Sequence, residues 1–109
     1  MPASPELTVI YWRDIPAQVT ATDGKRTARA QLTDRFQQAI DAAAMETGLV
    51  DSEAYLEAWH RESRSCGSDL ERETATEAER LETAHPQDEL QALVRSGGRR
   101  TPEDQHLPG

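Results

Sequence analysis

Cysteine occurs once, at Cys66, which excludes an internal disulfide and any multi-cysteine metal cluster. Apolar residues are also scarce, at 36% against 29% charged; globular averages, with glycine counted as apolar, are roughly 45–50% and about 25%. The core is therefore thin, and part of the chain lies outside it. No apolar run approaches the ~20 residues that span a bilayer. Basic charge is in deficit: the net charge is −8, and residues 51–109 hold 7 basic against 14 acidic side chains while residues 1–50 hold 5 against 6. That balance disfavours general binding to nucleic acid or to an anionic membrane surface, both of which need positive potential. It permits docking on a basic partner surface. The opening Met1-Pro2-Ala3-Ser4-Pro5-Glu6 has neither a basic segment nor a long apolar one, so no signal peptide is expected and the cytoplasm is the expected compartment.

What is present reads as one α+β domain over residues 7–98, with a loose leader at 1–6 and a disordered tail at 99–109, where prolines and charges replace apolar residues. Leu7-Thr8-Val9-Ile10-Tyr11-Trp12 is β-branched or aromatic at five of six positions. It predicts a central strand buried on both faces. Arg13-Asp14-Ile15-Pro16 reads as a turn. Ala17, Val19 and Ala21 then alternate with Gln18, Thr20 and Thr22, which predicts a second strand. Asp23-Gly24 is a hairpin dipeptide, and Ala28, Ala30 and Leu32 mark a third strand beyond it. The expectation is a three-stranded antiparallel β-meander with one apolar face, which helices must cover.

Thr33 is a candidate N-cap for the first of these helices. Phe36, Ala39, Ile40, Ala43 and Ala44 form one face of it, and Gly48 ends it. A second helix is expected from Ser52 through Trp59, with Tyr55 and Trp59 on one face, followed by a polar break at Glu62–Gly67. Ser68-Asp69-Leu70-Glu71 resembles a capping box. It opens an acidic helix with a narrow apolar stripe of Leu70, Ala78 and Leu81, expected to be largely solvated. Pro86 opens a short last helix with Leu90, Leu93 and Val94, and Gly97-Gly98 stops it. The C-terminal half is thus predicted to be helical and acidic.

The segment from Leu7 to Val19, with Tyr-Trp-Arg-Asp-Ile-Pro-Ala-Gln-Val at its centre, is similar to a bacterial family of small proteins described as virulence factors. So are Arg35 to Met45 and Tyr55-Leu56-Glu57-Ala58-Trp59. A similar domain ends a larger protein, conserved virulence factor C. The resemblance covers about residues 7–98. It implies a bacterial, cytoplasmic protein with no established catalytic residues and no cofactor, and its label records a phenotype, not a mechanism.

The residues that can carry chemistry are few. Trp12-Arg13-Asp14 at a strand-to-turn junction pairs a flat ring with a planar cation, suited to a carboxylate or phosphate; the structural alternative is a buried Trp12 beside a capped turn. Lys25 and Arg26, with Arg29, form the basic cluster past Asp23-Gly24, but no glycine-rich loop leads from them into a helix to supply backbone amides. Tyr55 and Trp59 make either core or a binding platform. His60, Cys66, His85 and His106 match no zinc spacing. Cys66, in a serine-rich polar segment, shows no sign of an activated thiol, and the carboxylates of 69–89 read as a solvated face rather than an acid–base pair. Neither catalytic residues nor a cofactor or metal site are expected.

Two functions remain. The first is a non-catalytic protein-interaction module, with an unidentified protein partner held by the acidic helix Asp69 to Ala84 or by the Trp12–Pro16 region. The alternative is a small-anionic-ligand-binding or accessory subunit of a metabolic enzyme that uses Arg13, helped by Lys25 or Arg26.

Overall fold

The structure, a computed structural model, describes residues 4–50 and 52–99; most of the expected leader and tail lies outside the described residues. β1 (Glu6–Trp12), β2 (Ile15–Asp23) and β3 (Arg26–Gln31) form the expected meander. The sheet has a fourth strand, β4 (Trp59–Ser65), and the order is β3-β2-β1-β4. β1 is therefore central, as expected, but it is not buried on both faces: Leu7, Val9 and Trp12 are buried while Thr8, Ile10 and Tyr11 are partly exposed. It pairs antiparallel with β2 on one side and with β4 on the other, from Glu6 opposite Ser65 to Trp12 opposite Trp59.

The fourth strand corrects the sequence expectation. The second helix, α2, covers only Glu53–Glu57, and the supposed polar break is a sheet edge. β4 carries no apolar alternation because it is an edge strand with all residues after Trp59 exposed. Backbone pairing to β1 holds it, and its inward Arg64 meets a carboxylate rather than a hydrophobe.

The register sorts the side chains by face, since successive residues of a strand point to opposite sides. One face presents Leu7 and Val9 of β1 opposite Ala21 and Val19, which in turn pair with Ala28 and Ala30. The other is polar, with Thr8, Thr20, Arg29 and Ser63 in one cross-strand row; the Thr8 and Ser63 hydroxyls lie 2.8 Å apart. Between Ile10 and Tyr11 the pairing with β2 slips, so Tyr11 meets Pro16, whose missing N–H is tolerated at such an irregularity.

Helices α1 (Asp34–Glu46) and α3 (Leu70–Ala84) pack on the sheet, α1 against β2 and α3 against β2 and β3, while α4 (Gln87–Arg95) packs on α1. α1 buries the five residues of its expected stripe, Phe36, Ala39, Ile40, Ala43 and Ala44. The three alanines of the stripe let it lie close. Thr33 is its N-cap residue, but its hydroxyl and N–H both donate to the Glu82 carboxylate of α3 instead of closing the helix end. Gly48, at φ 69°, follows the C-cap Thr47.

α3 is not the solvated helix expected. Leu70, Thr74, Glu77 and Leu81 fall at i, i+4, i+7 and i+11 and are buried. Two of these four are polar, so a count of apolar residues misses the face. Thr74 satisfies its hydroxyl on the Glu71 carbonyl at 3.0 Å. The helix begins one residue later than the capping-box pattern places it: Asp69 is the cap, accepting from the Arg72 N–H. Trp12, Ile15, Val19, Phe36 and Ile40 lie at or below 1% exposure in the joint core, each side chain contributing about 1.5–3 kcal/mol on burial.

Candidate functional site

Trp12, Arg13, Tyr55 and Trp59 are brought to one corner. Trp12 donates its indole N–H to the Tyr55 carbonyl at 3.0 Å, and the two rings lie 5.7 Å apart. Tyr55, in α2, meets Trp59, at the start of β4, edge to face at 6.2 Å. Arg13 holds a left-handed backbone, φ 53°, in the β1–β2 turn. Its guanidinium lies 5.2 Å from the Trp12 ring and donates through Nη1 to the Gly97 carbonyl at 2.8 Å, beyond the last turn of α4. There a cation suits the negative end of the helix. Its Nε is buried with no hydrogen-bond partner among the described residues. Burial first, and Arg99 second, pull this guanidinium below its ordinary pKa.

The turn is latched further by the Asp14 N–H on the Gly98 carbonyl at 2.8 Å, the Arg13 N–H on the Ala58 carbonyl at 3.0 Å, and the His60 Nε2–H on the Arg13 carbonyl at 2.6 Å. Gly98, at φ 89°, sits against the Trp12 ring, where a Cβ would come 2.8 Å from Cζ3. Arg13 thus ties together the turn, α4 and the aromatic corner.

Lys25 and Arg26 lie elsewhere. Thr22, beside their hairpin, is level with Glu6 and six residues from the level of Trp12, roughly 20 Å at ~3.3 Å per residue. Lys25 is exposed. Arg26 is engaged by Asp23 at 2.7 Å and by the Ser68 carbonyl at 3.2 Å. The fold does not bring these two cations together with Arg13.

A polar cleft of about 520 Å³ beside the corner is lined by Tyr11, Asp14, His60, Glu62, Arg80 and His85, among others. Most of its polar groups have partners in the fold. Tyr11 stacks on His60 at 5.4 Å, and burial first, then Glu62 and Glu77, push its hydroxyl pKa up. His85 is buried and donates from Nδ1 to the Leu81 carbonyl at 2.9 Å. Arg80 grips the buried Glu77 through Nε at 3.0 Å and Nη2, and Arg64 reaches the same carboxylate at 3.0 Å. Hydrogen bonding from Arg80, and then from Arg64, outweighs burial and holds Glu77 below the usual carboxylate range. Among the described residues no group of three or more His, Cys, Asp or Glu is placed to hold a metal ion. Cys66 is half-buried, and burial pushes its thiol pKa up, away from a nucleophilic thiolate.

The second site is an apolar groove of about 620 Å³ between the end of α1 and α2, lined by Asp41, Ala44, Met45, Val50, Glu53 and Leu56, with Ser52 and Tyr55. The large apolar side chains left in solvent among the described residues are Met45 at 72%, Val50 at 48% and Leu56 at 67% exposed, and all three line this groove. Sequence reasoning missed them. They stand at helix ends and in the α1–α2 connection, off the apolar stripes, where no periodicity marks them. The available signal was charge: from Phe36 to Ala58 the chain has five carboxylates and no Lys or Arg.

The family model described as Virulence factor matches residues 10–94. The chain belongs to this family. The match takes in all of β2, β3, β4 and the four helices except Arg95, together with the Trp12–Asp14 turn and the groove. Neither the curated proteins nor the solved structures hold a match to the chain. No described helix is long and apolar enough to cross a membrane.

Proposed function

We propose that this virulence-factor-family chain is a non-catalytic protein-interaction module, and that its contact surface is the groove between α1 and α2. The supporting observation is the gathering of Met45, Val50 and Leu56, exposed and apolar, along one concave surface. Single exposed hydrophobes are ordinary, but a contiguous apolar patch with a polar rim is the usual form of a docking site. The unbranched, polarisable methionine side chain adapts to a partner's shape at little cost. The exposed acidic side of α3, with Glu71 and Glu79, offers a second, weaker surface of the same kind, and the cytoplasm is the compartment proposed for the encounter. The anionic-ligand reading through Arg13 has less support, because that guanidinium is engaged by the Gly97 carbonyl.

The test is affinity capture from the source cells with the full chain, run beside Leu56→Asp and the Met45→Asp/Leu56→Asp double variant. These positions are exposed, so both variants are expected to fold. A stoichiometric partner held by the parent protein and lost from the folded double variant supports the reading. A partner retained by the folded double variant, or none bound by the parent protein, overturns it.

A further inference from the structure

We infer that the occupant of the groove is a basic amphipathic helix of another protein, a conclusion that rests on the groove being the contact surface. The charged side chains lining it, Asp41 and Glu53, are both carboxylates. The surrounding segment extends that sign, with Glu46 and Glu57 also exposed and no Lys or Arg between residues 36 and 58. An apolar floor with an acidic rim is complementary to a helix that has Leu or Phe on one face and Lys or Arg along its flanks.

Other occupants fit less well. The lining residues lie on α1, on α2 and, as Val50 and Ser52, between them, and none belongs to a strand, so the groove borders no sheet edge for an extended segment to join. An anionic membrane surface is repelled by the carboxylates. A second copy joined through the same groove would set these carboxylates against one another across a two-fold axis. The outer side of α3 is no better a guest, because Glu71, Glu73, Glu79 and Glu82 outnumber its two arginines even with Glu77 buried.

The experiment titrates the isotope-labelled full chain with three synthetic peptides. One is an 18-residue Leu/Lys sequence with a helical apolar face, the second has Glu in place of Lys, and the third is the Leu/Lys composition scrambled so that no face forms. The expected result is binding of the first at least ~10-fold tighter than the other two, weakening as salt rises. Amide shifts are expected at Ala44, Met45, Val50 and Leu56. Neutralising the rim with Asp41→Asn/Glu53→Gln reduces the preference over the Glu peptide by roughly 3- to 10-fold, as two exposed ion pairs allow. Equal binding of the Glu peptide or of the scrambled peptide overturns the inference, as do shifts confined to another surface or sedimentation of the free chain as a groove-mediated dimer. If capture from cells depends on Leu56 while the peptides show no basic preference, the occupant is wrong and the interaction module stands. Failure of both removes both.

Discussion

Replacing Gly98 by alanine isolates how tightly the C-terminal loop closes on the aromatic corner. Two costs arise there. At φ 89° any L-residue is strained, by about 1–2 kcal/mol. The added Cβ would also stand 2.8 Å from Cζ3 and 3.2 Å from Cε3 of Trp12. Trp12 is fully buried and held by its bond to the Tyr55 carbonyl, so it cannot swing aside, and overpacking of this kind adds about 1–3 kcal/mol. Gly48 is the control. Its φ is 69°, and a Cβ there meets nothing within 4 Å, so Gly48→Ala carries the backbone cost alone. Gly98→Ala is expected to lose roughly 2–5 kcal/mol and Gly48→Ala about 1–2. In thermal melts followed by circular dichroism, each kcal/mol corresponds to about 4–8 °C in a domain near this size. Equal losses in the two variants would refute the close packing of Gly98 on Trp12.

Three further outcomes follow from the same geometry. Arg13→Gly removes the bond to Gly97 but relieves the left-handed backbone, whereas Arg13→Ala keeps the strain; urea unfolding should find the alanine variant less stable by about 1 kcal/mol. Glu77 has a depressed pKa in the folded state, so its contribution is fully present above the unfolded carboxylate value of 4.5 and is lost as pH falls through the lower folded one. Glu77→Gln should flatten that acid-side loss in denaturant titrations and lower stability at pH 7 by about 1–3 kcal/mol, the exposure of Arg64 and Arg80 keeping the figure modest. Cys66, with its raised thiol pKa, should react with a disulfide reagent at pH 7 more slowly in the folded chain than in urea; equal rates would remove the case for a protected thiol.

Local signals made the first half of the fold legible. The β-branched run gave β1, Asp23-Gly24 gave the hairpin, and the Phe36–Ala44 spacing with Gly48 gave α1. Where an element is specified by what it touches, the sequence was silent. β4 joins the sheet through backbone pairing and a charged contact, with no apolar period. The buried face of α3 includes Thr74 and Glu77, whose polarity disguises it. Of the candidate site residues, the two tryptophans, Tyr55 and Arg13 do meet. Lys25 and Arg26, close to Arg13 in sequence, stand at the other end of the sheet, because strand direction, not sequence separation, sets distance there. The groove depends on how two helix ends face each other, which no single segment encodes.

The bond from the Asp14 N–H to the Gly98 carbonyl has a consequence for synthesis. A chain emerging from the ribosome holds all four strands once residue 65 is clear, so the sheet can pair early. Trp12 nevertheless lacks its lid until Gly98 emerges, dozens of residues later. A nascent or prematurely terminated chain therefore displays an indole that the finished protein hides. Transiently exposed apolar surface of this kind makes incomplete chains prone to aggregation, and closure of the Gly98 turn over Trp12 removes it.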